Sequence, residues 1–190
     1  MPRFSSAEFL EFLHAVDGGL EQPCSVVLIG GAAVGLVYRS AHTTLDLDVW
    51  SASSSSFWRA VRDANHGRAT QVPVQRVTIA VAPWSMEDRL ESLHAGRFKR
   101  LRLFVPEAHD LALLKIARAE AHDLDAIADI HTVHALSLEV LLERYRESVT
   151  QVIGSPEMHR LNFLAAVARL FGEDEAERLE RLLRSVSRRR

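Results

Sequence analysis

The period of the hydrophobic pattern changes near residue 106. Before it, short apolar runs and two-residue alternation dominate; after it, apolar positions recur every three or four residues. Residues 25–29 (SVVLI) form a β-branched run that ends at Gly30 and predicts a buried strand. Residues 31–39 (GAAVGLVYR) predict a short helix packed through its small side chains. Residues 44–50 (TLDLDVW) alternate with period two, which predicts a half-buried strand. On it Leu45, Leu47 and Val49 face the core, and Asp46 and Asp48 project together from the other face. Near the start, Ser5 and Glu8 have capping-box spacing, and Phe9, Leu10, Phe12, Leu13 and Val16 make one helical apolar face. The serines at 53–56 cap a helix running to about Asn65. Residues 74–83 predict a strand stopped by Pro83, residues 85–94 a short helix, and residues 97–105 another strand.

Beyond Pro106, residues 107–134 show helical periodicity with no strand signal. So do residues 137–149, 156–171 and 173–184, with Gly154 and Gly172 as breaks. The expected class is α+β. A small mixed sheet with flanking helices occupies residues 1–105, and an all-helical region follows over 106–190.

Composition narrows the function. With 47% apolar residues in 190, the chain can bury a sizeable core as one domain, or as one domain with a helical extension. A net charge of −2 and a pI near 6.5 exclude a domain that coats nucleic acid through bulk positive charge. The single cysteine, Cys24, allows no intrachain disulfide and suits a reducing cytoplasm, the expected location. The first 16 residues carry acids and lack the uninterrupted apolar region of a signal peptide. The longest apolar run, residues 26–38, holds three glycines and is too short to span a bilayer, so no membrane association is expected.

The candidate chemistry lies in residues 28–50. Two carboxylates two residues apart on a strand repel each other unless a cation sits between them. Hard oxygen ligands of this kind suit magnesium, which takes one or two protein carboxylates and completes its shell with water and phosphate. Gly30-Gly31 stands where a strand turns into a helix. Glycine lets backbone approach a ligand, and a helix N-terminus offers free N–H groups to phosphate. Together these features describe a nucleotide–magnesium pocket. Two rival glycine motifs fail: Gly35 is followed by Leu36 and Val37 rather than Lys and Ser/Thr, and glycines at 30, 31 and 35 do not fit Gly-x-Gly-x-x-Gly. The bland alternative is a plain turn followed by the wet face of a strand.

Other polar groups also admit both a functional and a bland reading. Lys115, Arg118, His122, Asp125 and Asp129 recur at steps of three and four, which places them on one helix face, with Asp123 beside it. That stripe suits phosphate and metal contacts, or equally a solvated face. His131 and His134 lack the further ligands of a zinc site. Arg97, Lys99, Arg100 and Arg102 suit an RNA backbone or, slightly better, an edge strand guarded by charge. Arg178, Arg181, Arg184 and Arg188 form a basic stripe that suits RNA, an acidic partner or the helix dipole.

With these residues in place, residues 29–50 (IGGAAVGLVYRSAHTTLDLDVW) resemble the signature of the nucleotidyltransferase fold of the DNA polymerase β type. The similarity is greatest to small bacterial nucleotidyltransferase-like proteins that include abortive-infection and toxin–antitoxin enzymes. Arg39 and Thr44 match residues ahead of the acids in that branch. Lys115, Asp123 and Asp129 match its later Lys…Asp…Asp segment, and "MEDRL" (86–90) is also similar. The resemblance implies a Mg2+-dependent transfer of a nucleotidyl group from a nucleoside triphosphate to RNA (tRNA among the acceptors), protein or a small molecule. A cognate toxin or antitoxin partner is implied as well. It assigns the metal to Asp46 and Asp48, nucleotide binding to Gly30, Gly31, Arg39, Thr44 and Arg118, and catalysis to those aspartates with Lys115 and Asp123. The fold's usual third carboxylate is missing, because residues 74–83 hold no acid. That departure keeps a second function in view, a catalytically silent module that binds nucleotide or a partner protein.

Overall fold

A computed structural model of the chain describes residues 2–38, 43–78, 81–152 and 154–187. The chain divides into two compact units, Met1–Ile79 with Met86–Glu107 and Ala80–Ser85 with Ala108–Arg190.

The first unit is α+β. In chain order it holds α1 (Ser6–Gly19), β1 (Cys24–Ile29), α2 (Gly30–Tyr38), β2 (Leu47–Ala52), α3 (Ser56–Asn65), β3 (Val74–Arg76), a 3₁₀ turn (Met86–Arg89), β4 (Leu90–Leu93) and β5 (Leu101–Pro106). The strands form one mixed sheet in the order β3-β2-β1-β5-β4. β1 is antiparallel to β2 and parallel to β5, β2 is parallel to β3, and β4 is antiparallel to β5. The capping box at Ser5 and Glu8 is formed in both directions, so α1 starts where its sequence signal lies. Phe9, Phe12 and Leu13 of α1, Phe57 of α3, and Leu28, Leu47 and Leu103 of the sheet are all fully buried.

The far end of α1 is tied to the sheet by one carboxylate. Asp17 accepts hydrogen bonds from the backbone amides of Lys99, Arg100 and Leu101 at 3.0, 2.8 and 2.7 Å. Burial pushes its pKa up, but the three amides outweigh burial and hold the group below the usual aspartate range.

Several elements differ from the sequence expectation. β2 starts at Leu47 rather than 44. Thr44 instead forms an isolated antiparallel bridge with Phe4, with N–H···O distances of 2.8 and 3.1 Å, and Leu45 is exposed instead of facing the core. β3 ends at Arg76 and does not run to Pro83. The helix expected at 85–94 shrinks to the 3₁₀ turn, and the rest becomes β4 because β5 offers it a partner edge. β5 itself lies between β1 and β4, so Arg102, its one arginine, does not guard a sheet edge. Pairing across the sheet overrides local helix preference here.

The second unit, as described, is helical: α4 (Ala108–Ile116), α5 (Ala121–His134), α6 (Leu138–Val149), α7 (Pro156–Phe171) and α8 (Glu173–Ser187). Leu111, Ile116, Ile127, Ile130, Phe163 and Val167 are buried in it. Tyr145 stacks on Phe163 with ring centroids 4.1 Å apart and on His159 at 5.1 Å. The single helix expected over 107–134 is broken between α4 and α5. Ala119 takes a left-handed φ of 51°, and its N–H donates to the Lys115 carbonyl at 3.0 Å. Asn162 on α7 donates its side-chain amide to the carbonyls of Ala117 and Arg118 at 3.1 and 3.4 Å. The carbonyls left over at the end of α4 are thus capped from a distant helix, which the periodicity of residues 107–134 cannot reveal.

Removing the Asp17 carboxylate strips three amides of their acceptor. Asp17→Ala is expected to lower stability by about 2–3 kcal/mol, read as a shifted midpoint in urea-induced unfolding.

Candidate active site

The glycine pair meets one of the two aspartates, Asp48, directly. β1 and β2 run antiparallel with Ile29 opposite Asp48. The chain then turns at Gly30, the first residue of α2, with φ +75°. A Cβ on Gly30 would collide with the Asp48 carboxylate, its Cγ only 2.9 Å away; one on Gly31 would lie 2.8 Å from the Thr44 hydroxyl. The acid and the hydroxyl therefore lie against bare backbone at the start of α2. Only glycine tolerates both the left-handed φ and this approach. The positive end of the helix also favours a carboxylate and, beyond it, phosphate.

Leu47 and Val49 are fully buried, and Asp46, Asp48 and Trp50 alternate with them on the opposite face of the chain. β3 runs parallel to β2 with Gln75 in register with Asp48, and the Gln75 side-chain amide donates to the Asp46 carboxylate. Further along the face, the Trp50 indole N–H donates to Glu87 at 2.8 Å. Gln75 and the Trp50–Glu87 pair were not singled out by sequence reasoning. Their signals in the sequence are the place of Gln75 in residues 74–83, where the fold's third acid would stand, and that of Glu87 inside the "MEDRL" segment. Among the described residues, no three His, Cys, Asp or Glu side chains gather as a metal-binding group. Asp48 against the Gly30 backbone, with Asp46 two residues earlier, is a donor set that would suit one magnesium ion completed by water and phosphate. Arg39 lies outside the described residues.

Lys115, Arg118 and Asp123 form a cluster in the second unit. Asp123 is fully buried and Lys115 is 8% exposed. Arg118 grips Asp123 with two nitrogens, Nε at 2.7 Å and Nη2 at 2.9 Å, and Lys115 Nζ lies 3.2 Å from the same carboxylate. His122 lies beside them, its Nε2 3.0 Å from Arg118 and 3.6 Å from Asp123. Burial pushes Asp123 up, but hydrogen bonds and charge from Arg118 and Lys115 outweigh burial and hold it below the usual range. A carboxylate so engaged is a weak base; it is suited to hold the two cations in place.

The stripe expected on one helix face does not exist as such. Lys115 belongs to α4, Arg118 to the break, and His122, Asp125 and Asp129 to α5. In a continuous helix, residues eight apart stand about 12 Å apart along the axis. The break brings Lys115 and Asp123 into contact. Asp125 points elsewhere, to Arg169 at 3.3 Å.

The remaining candidates make local contacts. Arg178, Arg181 and Arg184 pair with Glu175, Glu177 and Glu180 on their own helix, and Arg188 lies outside the described residues. His131 packs edge-on against Phe171 at 5.2 Å. Cys24 is buried, and no described helix is long and apolar enough to cross a membrane.

Against known proteins, residues 8–173 match the model of a family described as a nucleotidyltransferase of unknown function (DUF6036). No curated protein and no solved structure matches the chain.

Gly30→Ala should destabilise the first unit by several kcal/mol, because strain at φ +75° adds to the collision with Asp48. Gly18→Ala, in α1 with nothing within 4 Å of the new Cβ, should be neutral or mildly stabilising. Thermal melts of the two variants make the comparison. For Asp123, the folded pKa lies below the unfolded value of about 3.9, so its stabilisation is complete well above that pH and is lost as pH falls through the folded pKa. Asp123→Asn should cost about 3 kcal/mol or more at pH 7. Its gap to wild type should close as pH falls below about 4, as measured by denaturant unfolding at several pH values.

Proposed function

We propose, from the premise that this chain belongs to the nucleotidyltransferases of unknown function, that it is a magnesium-dependent enzyme. It moves a nucleotidyl group from a nucleoside triphosphate to a hydroxyl on RNA, protein or a small molecule. The observation that carries this reading is the packing of the Asp48 carboxylate onto the Gly30 backbone at the start of α2. Nothing about a plain turn requires an acid there. Asp46 and Asp48 hold the magnesium, which supplies Lewis-acid charge to phosphoryl transfer when bound. The amides at Gly30-Gly31 and the Thr44 hydroxyl seat the triphosphate.

In the reaction the acceptor hydroxyl oxygen bonds to the α-phosphorus. The bond from that phosphorus to the bridging oxygen breaks, pyrophosphate leaves, and the hydroxyl proton passes to water. By family resemblance Lys115 offsets phosphate charge in the transition state, with Arg118 and Arg39 assisting. Asp123 positions Lys115 and Arg118, a role its lowered pKa fits better than proton abstraction. The same resemblance supports tRNA as an acceptor and a place in a toxin–antitoxin or phage-defence system with a cognate partner.

Incubation with each labelled nucleoside triphosphate, magnesium and cellular RNA or protein tests the reading. Wild type should transfer label, and Asp46→Ala/Asp48→Ala and Lys115→Ala should each lose about 100-fold or more. Equal labelling by wild type and the double variant sinks the proposal.

A second reading, a silent module that binds nucleotide or a partner protein, is favoured by the neutral Gln75 beside the two acids. Thermal stabilisation by a nucleoside triphosphate only when magnesium is present supports the enzyme. No shift with any nucleotide, together with a co-purifying protein, supports the module.

A further inference from the structure

We propose that Gln75 restricts the site to a single divalent cation until nucleotide arrives, and that it does so by holding Asp46 with a neutral amide. The proposal rests on the reading of Asp46 and Asp48 as magnesium ligands. β3 is parallel to β2 and places Gln75 in register with Asp48, on a neighbouring strand about 4.8 Å away. Its amide nitrogen donates to Asp46. One side chain thus sits beside one acid and bonds to the other. The orientation is dictated by chemistry: an ionised carboxylate only accepts, so the NH2 group must face it.

This arrangement sets the charge. Two divalent cations about 4 Å apart bring +4 and are held together by surrounding carboxylates. Asp46 and Asp48 supply −2, and Gln75 adds none. Glu87, the acid delivered further along the same face, is engaged by the Trp50 indole, and no third acid joins the pair in a metal-binding group among the described residues. One cation balances the two aspartates. A second is repelled by the first until the phosphates of a nucleotide bring further negative charge. The amide also fixes Asp46 while the site is empty of cation, as a positioning residue does, and leaves its own carbonyl oxygen as a neutral ligand.

The test counts Mn2+ bound by the full chain, by calorimetry and by the electron paramagnetic resonance of free Mn2+. Wild type should bind one ion without nucleotide and two with a non-hydrolysable nucleoside triphosphate analogue. Gln75→Glu should bind two without nucleotide, or the first at least tenfold tighter. Gln75→Ala should keep one site and bind it more weakly. Two ions on wild type without nucleotide overturn this proposal alone, as does a folded Gln75→Glu that matches wild type in number and affinity. Absence of Mn2+ binding by wild type under both conditions overturns the magnesium reading, and this proposal falls with it. Should Gln75→Glu fail to fold, the wild-type counts with and without analogue decide.

Discussion

The contact between the Asp48 carboxylate and the bare backbone of Gly30 is the constraint around which the first unit is arranged. It requires a strand that ends where a helix begins, a second strand antiparallel to the first, and a residue without a side chain at the junction. β1, α2 and β2 meet those conditions through the pairing of Ile29 with Asp48 and the positive φ of Gly30. Thr44 is drawn onto Gly31 in the same way, and its bridge to Phe4 fastens the segment ahead of β2 to the start of the chain. Asp48, the proposed metal ligand, is therefore also a packing element, so a side chain at Gly30 would disturb the packing of the first unit as well as the proposed site.

The two units achieve order by different means. In the first, polar side chains reach across long sequence separations: Asp17 collects three amides at the start of β5, and Gln75 reaches back to Asp46. In the second, a local break does the work. Ending α4 at Ile116 and restarting at Ala121 folds the chain back far enough for Lys115 and Arg118 to converge on Asp123. A buried carboxylate is costly unless its charge is met, and here two cations meet it. The cluster has a specific electrostatic state, with Asp123 ionised across the ordinary pH range.

Much of this was legible in residue order. The capping box at Ser5 and Glu8, the strand ending at Gly30 and the α+β-to-helical transition after Pro106 all follow from local patterns, because caps, turns and periodicity are properties of short segments. Gly30-Gly31 with Asp46 and Asp48 could be named as a pair because both motifs flank one strand–helix–strand unit. The misread pieces share a cause. β4 looked helical until β5 supplied an edge, β5 looked like an edge until β4 covered it, and residues 107–134 looked continuous until Asn162 capped α4 from α7.

Residue order settles which groups can do chemistry: two hard carboxylates after a glycine pair, and a lysine, an arginine and an aspartate further on. What each of them touches depends on the folded chain. Gln75 gained its meaning from strand register, since a glutamine in a strand-like run carries no sign of the acid it will hold. Asp123 changed from one acid near a helix stripe to the centre of an ion cluster, since the break that places it there depends on a cap from another helix. Local periodicity is written in neighbouring residues, whereas register and capping partners are set by segments far apart in the chain.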